Sequence, residues 1–308
     1  MIRPRDRSTA SQLEMKLVQF SSSVLPLPGV ADQIKRQVFV AQLIESMRRV
    51  ELIVHMRNHQ ISSQSADPHH AGFNPIRAAI YHAQNGSTDE AYWLVFLLTH
   101  FGKHSQQGWA LMKSIYGKLG ANPFWTWQEI STNTPRFRTW LIQHQQQLSG
   151  LIFGNHRKYE SLRADSTKGL ASVIESYVNW ISPHPTHDAK ISSIIRGIND
   201  PNAAFEALYK DIEALHRWGR LAKFDHLTML AKVGLIGISP GRAYLSQATG
   251  PKRGAALLLH NDPQRRLIVA QAEDALSRLG EHLQVGQQEL EDSLCNWQKS
   301  PTQFVAFR

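Results

Sequence analysis

The segment 153–161, FGNHRKYES, concentrates aromatic and basic side chains in the middle of the chain. Aromatic rings can stack on a nucleobase, and basic side chains can bind phosphates or the polar edge of a base. Chemistry on a base in DNA needs such a lining, because the base must leave the helical stack and enter a pocket. An ordinary exposed turn before a helix would give the same pattern.

Under the first interpretation, the segment supplies part of a base pocket together with nearby contacts to DNA. The side chains expected to line the pocket are Phe153, Asn155, Tyr159, His100, Gln42 and Arg49. Those expected to contact DNA in this region are Lys103, Arg157 and Lys158.

A second basic segment, LHRWGRLA at 215–222, ends one predicted helix and begins the next. The backbone N–H groups of such a turn, and of the helix that follows it, can bind a DNA phosphate. Gly219 would permit the close approach, and Arg217 and Arg220 would add positive charge. A plain corner between two packed helices is the alternative. The hairpin residues expected to contact DNA are Arg217, Gly219, Arg220 and Lys223.

Composition favours a polyanionic partner. The chain has 308 residues, with 34 Lys and Arg against 25 Asp and Glu, and a formal net charge of +9. Nucleic acid is the first expectation and an anionic membrane the second. The single cysteine, Cys295, excludes an intramolecular disulfide and suits a reducing, cytoplasmic compartment. The longest apolar runs, such as 93–98, are too short to span a bilayer.

The sequence lacks the motifs of several familiar enzyme classes. The sequence contains no G-x-x-x-x-G-K-[ST], no G-x-G-x-x-G and no H-E-x-x-H, so nucleotide hydrolysis, dinucleotide redox chemistry and zinc proteolysis lose their usual support. His100 and His104 have the spacing of metal ligands on a helix, but Gly102 lies between them and no carboxylate completes a set. We therefore expect no metal and no cofactor.

Helical periodicity dominates the chain, and no stretch alternates apolar and polar residues as a strand would. The first strong helix, from about Asp32, carries Gln42, Ser46 and Arg49 along one face, which could meet solvent or a cleft. The segment 88–101 is apolar nearly all round, so we expect it to be the buried centre of the fold.

These patterns predict an all-α fold. We expect a basic extension and linker over residues 1–30, followed by one helical domain over residues 31–308. This domain would form two helical lobes with a cleft between them. One lobe would consist mainly of residues 88–198, and the other would hold 215–222 and the C-terminal helices.

Four longer strings share a pattern with one protein family. They are DEAYWLVFLLTHFGKH (89–104), FGNHRKYES (153–161), GRLAKFDHLTML (219–230) and AYLSQATGPKRGA (243–255). Together they resemble the α-glutamyl/putrescinyl thymine pyrophosphorylase family, in its third clade, over roughly residues 35–260. The resemblance implies a divergent helix-hairpin-helix DNA glycosylase fold, connected with phages, anti-phage systems and hypermodified pyrimidines in DNA. It thus implies chemistry at a base or at its glycosidic bond.

The hairpin resembles the L-P-G-V-G-R-x-T-A segment of helix-hairpin-helix glycosylases. Leu215, Gly219 and Arg220 match this segment, whereas Arg217 replaces its first glycine and His216 its proline. In the better-known glycosylases with lyase activity, a lysine follows the hairpin arginine, and the catalytic aspartate lies eighteen residues further on. This chain has Leu221 and Ser239 at those two places, so neither familiar catalytic residue is present there.

Cleavage of an N-glycosidic bond nevertheless needs an anion to stabilise the positively charged sugar. The carboxylate candidates for this role are Asp225, Asp67 and Glu160. His156 is the candidate if no carboxylate takes part. Asp225 follows the hairpin by about one helical turn, although an Asp there could simply pair with Lys223 or Arg220. An Asp before a proline, as at position 67, is more often part of a turn.

The sequence therefore predicts a monofunctional DNA glycosylase. It would hydrolyse the N-glycosidic bond of a bulky modified pyrimidine, flipped out of double-stranded DNA, and would leave an abasic site in phage defence. One alternative is the transfer of an amino acid or polyamine to an activated thymine, which requires a small-molecule donor. Another is a protein that binds modified DNA without catalysis.

Overall fold

The computed structural model describes residues 2–306, apart from the side chain of Asn155. Over this range the chain forms α-helices, turns and short 3-10 helices but no β-strand, which confirms the all-α prediction. The α-helices are α1 (Arg7–Ser23), α2 (Gln33–Arg57), α3 (Pro75–Gln84), α4 (Thr88–Phe101), α5 (Ala110–Tyr116), α6 (Trp127–Thr132), α7 (Thr134–Gln143), α8 (Leu170–Ile181), α9 (His187–Ile195), α10 (Pro201–Asp211), α11 (Arg220–Val233), α12 (Gly250–His260), α13 (Val269–Leu283) and α14 (Gln287–Trp297).

The chain divides into two compact units, and the first comprises Met1–Leu52 and Pro240–Arg308. In this unit α12 packs against α14 and α1 packs against α13. Leu13, Leu17 and Phe20 recur at helical spacing on α1 and are buried. The stretch 1–30, expected to be an extension and linker, thus contributes a helix to the core of this unit.

The second unit, Ile53–Ser239, is built around α4. Every residue from Ala91 to Phe101 is buried, as the apolar sequence predicts. Helices α3, α5, α6, α9 and α11 all pack against α4. This helix ends at Gly102, whose φ of 65° lies in the left-handed region that favours glycine.

The N-terminal end of α4 differs from the capping box that an S-x-x-E string predicts. Ser87 makes no side-chain capping bond. Glu90 instead accepts hydrogen bonds of 2.7 Å from the Tyr116 hydroxyl and from the N–H of Trp127. These partners belong to α5 and α6. The Glu90 carboxylate therefore bonds to neighbouring helices and does not cap the start of α4. Burial raises the pKa of Glu90 to about 7.

The hairpin segment 215–222 lies in the same unit as residues 88–198, and not with the C-terminal helices as the predicted lobes have it. The reason is visible in the core. Trp218 stacks against Phe96 of α4, with 5.1 Å between the ring centroids, while α11 packs along α4. The predicted cleft and the helix-hairpin-helix detail of the fold stay predictions.

Candidate active site

The segment 153–161 is fixed to the C-terminal end of α4 by two glycines. The N–H of Gly154 donates to the carbonyl of Phe101 at 2.8 Å. A Cβ atom on Gly154 would lie 2.7 Å from the carbonyl carbon of Gly102, closer than real side chains allow. The strings 89–104 and 153–161 therefore meet at a point that only glycine permits.

Arg157 extends from this anchor and joins α4 to α11. Its Nε donates to the carbonyl of Thr99 at 2.8 Å, and its Nη2 lies 3.3 Å from Oδ2 of Asp225. The carbonyl belongs to the last turn of α4, where the helix dipole favours a cation. Burial lowers the pKa of Arg157, and the charges of Asp225 and Glu160 counteract that effect. Because a guanidinium stays protonated at neutral pH, Asp225 has a fixed positive partner.

Asp225, the first catalytic candidate from the sequence, lies in the second turn of α11. Its side chain is 43% exposed, whereas that of Arg157 is only 9% exposed. The carboxylate is thus oriented by an ion pair from inside and accessible to a ligand from outside.

A second ion pair joins the same two segments. Arg217 Nε lies 3.1 Å from Oε2 of Glu160, and Arg217 Nη2 donates to the carbonyl of Tyr159 at 3.2 Å. Arg217 has a φ of 62°, a left-handed conformation that side chains other than glycine's rarely adopt. Position 217 is where the resembled hairpin has its first glycine. The two bonds to 159–160 help hold arginine in that conformation.

These two ion pairs, Arg157–Asp225 and Arg217–Glu160, define the candidate site. The structure thus brings together three of the predicted DNA-contact or catalytic regions: the segment 153–161, the hairpin, and the start of α11.

The other hairpin residues differ in exposure. Gly219 is exposed, and a Cβ atom there would meet nothing within 4 Å. Arg220 is buried, with its guanidinium 4.6 Å from the ring centroid of Phe224. Lys223 is also buried, and its Nζ lies 2.7 Å from Oε1 of Glu213. The backbone before α11 is therefore open to a ligand, while these two cations are directed into the protein.

Four predicted site residues are exposed near the segment that Gly154 anchors. Lys103, His156 and Lys158 are exposed, and Tyr159 is 79% exposed. The ammonium group of Lys158 lies 5.0 Å from the ring centroid of Tyr159. The side chain of Asn155 lies outside the described part of the structure.

His100 and Phe153, both predicted for the base pocket, are in contact inside the unit. Their rings meet edge to face at 5.7 Å. Burial lowers the pKa of His100 to about 3, and the charges of Arg157 and Arg217 act in the same direction. The imidazole is therefore neutral at physiological pH, and its Nε2 has no hydrogen-bond partner among residues 2–306.

Three predicted site residues take no part in these contacts. Asp67 is in a separate turn of the second unit, where its Oδ1 accepts a 2.8 Å hydrogen bond from the backbone N–H two residues on. Gln42 and Arg49 belong to the first unit. Gln42 donates to the carbonyl of Val305 at 3.0 Å, and Arg49 lies 3.1 Å from Asp292.

Ser239 occupies the position of the glycosylase aspartate in the resembled hairpin proteins. Its hydroxyl donates to Oδ1 of Asn202 at 2.9 Å. The surrounding letters at 237–241 fit G-x-S-x-G, but the segment is irregular and lacks the strand–turn–helix that exposes a hydrolase serine. We assign it no catalytic role.

Sequence reasoning missed two buried residues beside the site, Trp218 and His226. Their rings meet at 4.9 Å, nearly perpendicular to each other. The available signals were an aromatic residue inside a basic hairpin and a histidine directly after Asp225. Neither distinguishes a site residue from an ordinary core residue without the tertiary packing.

In residues 2–306, no group of three or more His, Cys, Asp or Glu could hold a metal ion. No helix in this range is long and apolar enough to cross a membrane.

A family model for alpha-glutamyl/putrescinyl thymine pyrophosphorylase clade 3 matches residues 34–308. The chain belongs to this family. The match confirms the resemblance and extends it to the C-terminus, and all four residues of the two ion pairs lie within it. No curated protein and no solved structure matches this clade 3 member.

Proposed function

We propose that this clade 3 protein is a DNA glycosylase that excises a bulky modified pyrimidine and leaves an abasic site. The observation that supports it is the accessible carboxylate of Asp225, held by the buried Arg157 between the segment 153–161 and the hairpin helix. A departing base leaves positive charge on the sugar, and a fixed carboxylate stabilises that charge.

In the proposed reaction, the bond between C1′ of the sugar and the base nitrogen breaks, and its electron pair leaves with the base. Asp225 stabilises the positive sugar and orients a water molecule. The water oxygen then bonds to C1′, and its proton passes through the carboxylate to the departed base. Arg157 is a positioning residue in this scheme, because it acts through its contact with Asp225.

DNA binding in this proposal uses the open backbone at Gly219 and the exposed cations Lys103 and Lys158. The formal charge of +9 favours association with a duplex. The modified base would be flipped out of double-stranded DNA towards the candidate site. Removal of modified bases from phage DNA would serve phage defence.

We further propose that the enzyme does not nick DNA. A glycosylase with lyase activity uses an amine that forms a Schiff base with the sugar. Leu221 has no amine, and the amine of Lys223 is buried against Glu213. Borohydride should therefore trap no covalent adduct with DNA, and a trapped adduct would contradict this part of the proposal.

The family name supports a second candidate, the transfer of an amino acid or polyamine to a thymine activated by pyrophosphate. Here a donor amine would bond to the thymine substituent and pyrophosphate would leave. An open, polar surface groove of about 800 Å³ in the second unit offers room for such a donor. It is lined by residues 57–63 and by Tyr81, Gln84 and Asn85.

Product analysis separates the candidates. The protein is incubated with duplexes containing 5-hydroxymethyluracil, glucosylated 5-hydroxymethylcytosine or unmodified pyrimidines. Alkali-labile abasic sites support the glycosylase. A further duplex carries a pyrophosphorylated 5-hydroxymethyluracil and is incubated with glutamate or putrescine. Release of pyrophosphate, with glutamate or putrescine found attached to the base by mass spectrometry, supports the transferase. Binding of modified DNA with neither product supports a reader without catalysis.

A further inference from the structure

Arg217 lies between two of the proposed contacts with DNA. Gly219, whose open backbone is proposed to bind a phosphate, is two residues further along the chain. On its other side, Arg217 Nη2 donates to the carbonyl of Tyr159 at 3.2 Å, and Tyr159 directly follows the exposed Lys158. A DNA strand that binds at both contacts therefore brings its phosphates close to the Arg217 guanidinium.

A carboxylate of the protein already binds this guanidinium. Arg217 Nε donates to Oε2 of Glu160 at 3.1 Å. Carboxylates and phosphates are recognised by the same donors of an arginine side chain. Glu160 thus binds the arginine where a phosphate would, and its negative charge would repel that phosphate.

The Arg217–Glu160 pair is less firmly built than another arginine pair of the same unit. Arg138 donates Nε and Nη2 to the two oxygens of Glu175, at 2.9 and 2.7 Å. Arg217 instead divides Nε and Nη2 between a carboxylate oxygen and a backbone carbonyl, and its side chain is 26% exposed. A partly exposed pair of this kind contributes only modestly to stability, so a polyanion can compete for the arginine.

The first ion pair of the candidate site does not share this property. Arg157 is buried, and its Nε donates to the carbonyl of Thr99 at the end of α4. A phosphate therefore has access to Arg217 but not to Arg157. Loss of the Arg217–Glu160 pair would leave Arg157 in contact with Asp225.

We propose that Glu160 takes the place of a DNA phosphate in the free protein, and that Arg217 exchanges this carboxylate for a phosphate when a duplex binds. Arg217 is then a DNA contact in the complex, although it is paired within the free protein. Because the pair must break, Glu160 lowers the affinity for every duplex, whatever its bases. The inference rests on the proposed function only in requiring that a duplex binds at the hairpin, and it does not require excision of a base.

The salt dependence of binding tests the exchange. The affinity for an unmodified duplex is measured by fluorescence anisotropy at several sodium chloride concentrations. Each phosphate contact contributes about 0.9 to the slope of log Kd against log salt, so Arg217→Gln should reduce the slope by about that amount. Arg217→Lys keeps the positive charge and should keep the wild-type slope.

Glu160→Gln tests the competing carboxylate. At a fixed salt concentration this variant should bind the duplex about three- to tenfold more tightly than wild type, because no ion pair has to break. Its slope should equal that of wild type, since the same phosphate is bound. In the Arg217→Gln background, Glu160→Gln should change the affinity by less than about twofold, because that background has no guanidinium to release.

Asp165→Asn is the matched control. Asp165 lies in the same connection between α7 and α8 as Glu160, and its Oδ2 is 2.8 Å from Nη2 of Arg163. The substitution therefore removes one negative charge and one arginine pair from the same segment without touching Arg217. We expect it to change the affinity by less than about twofold.

Two results would overturn the exchange. An unchanged slope for Arg217→Gln would mean that the pair stays intact in the complex. Equal gains in affinity from Glu160→Gln and Asp165→Asn would mean that Glu160 acts only through general repulsion. If Arg217→Gln folds poorly by thermal denaturation, the comparison of these two acid variants carries the test.

The same measurements separate this inference from the proposed function. Absence of duplex binding by the wild type would contradict both. Duplex binding with the expected change of slope, but with no release of a base from modified DNA, would support the exchange and contradict the glycosylase. Release of a base with an unchanged slope for Arg217→Gln would contradict the exchange alone.

Discussion

Arg157 Nη2 lies 3.3 Å from Asp225 Oδ2, and this contact links two segments that are 68 residues apart in sequence. The arginine is buried and bonded to the end of α4, whereas the carboxylate is 43% exposed. The buried arginine therefore fixes the position of the pair, and the exposed carboxylate is available to a substrate. Arg157 supports the site, and Asp225 is the member that a substrate can reach.

Gly219→Val tests phosphate binding before α11. A Cβ atom there meets nothing within 4 Å and the φ is −74°, so valine fits the fold. Its branched side chain would nevertheless cover the N–H groups of the first turn. We expect affinity for any duplex to fall about tenfold, measured by fluorescence anisotropy, with an unchanged melting temperature.

Gly154→Ala provides the opposite control. Its Cβ would lie 2.7 Å from the backbone of Gly102, so this variant should lower the melting temperature. Wild-type affinity of Gly219→Val for DNA would contradict a phosphate contact at this turn.

A double-mutant cycle tests the second ion pair. Arg217→Gln and Glu160→Gln remove the two charges. Every protein in the cycle has a residue other than glycine at 217, so the backbone strain there cancels. Both groups are partly buried, at 26% and 13% exposure of the side chain. We expect a coupling free energy of unfolding of about 0.5–2 kcal/mol from urea denaturation. A coupling near zero would mean that the pair does not hold the hairpin to the segment 159–160.

Most helices of the fold were predictable from the sequence. The Asn74 and Asp200 caps with following prolines, and the apolar run of α4, give α3, α10 and α4 directly. Helix α1 was missed although Leu13, Leu17 and Phe20 have helical spacing, because the basic, polar start of the chain resembles an extension. Helix α6 has six residues, too few for a periodic signal.

The segments that form the candidate site were predictable from the sequence, but the ion pairs between them were not. The composition of 153–161 and of 215–222 indicated both segments, and Asp225 was the first catalytic candidate. The alternative for Asp225 was a simple pair with Lys223 or Arg220, its neighbours in sequence. Lys223 lies beside Glu213, and the distant Arg157 lies beside Asp225. Contacts between segments so far apart in the chain cannot be inferred from the local sequence.

Tyr159→Ala tests the exposed part of the segment. The ring is 79% exposed, so its removal should leave the melting temperature unchanged. If it stacks on nucleic acid, affinity for modified duplex should fall about five- to tenfold, more than affinity for plain duplex. Tyr159→Phe keeps the ring and should bind as wild type. An equal loss of affinity for both duplexes would mean that Tyr159 contacts DNA without distinguishing the modified base.

Glu90 predicts a pH dependence of stability. Burial raises its pKa from 4.5 to about 7, against the lowering effects of hydrogen bonds from Tyr116 and Trp127. As pH rises between these values, the unfolded chain loses a proton that the folded protein keeps, so the free energy of unfolding falls. This contribution is on the order of 3 kcal/mol by about pH 8.

Glu90→Gln removes the titration and keeps the shape. Relative to wild type, the variant should gain stability between about pH 5 and about pH 8, measured by urea denaturation at each pH. Comparing the two proteins cancels the opposite acid effect of buried His100 and His226, whose pKa values are lowered. A difference that does not change with pH would contradict the raised pKa.

Single-turnover base release by Asp225→Asn, compared with wild type, tests the central claim most directly. The substitution keeps the shape beside Arg157 and removes the negative charge. On a duplex whose modified base the wild type excises, we predict a loss of at least about a hundredfold in the rate of abasic-site formation. Affinity for that duplex should stay the same or rise slightly, since one repulsion of phosphate is gone. Retention of most of the wild-type rate with normal DNA binding would contradict the assignment of Asp225 as the catalytic carboxylate.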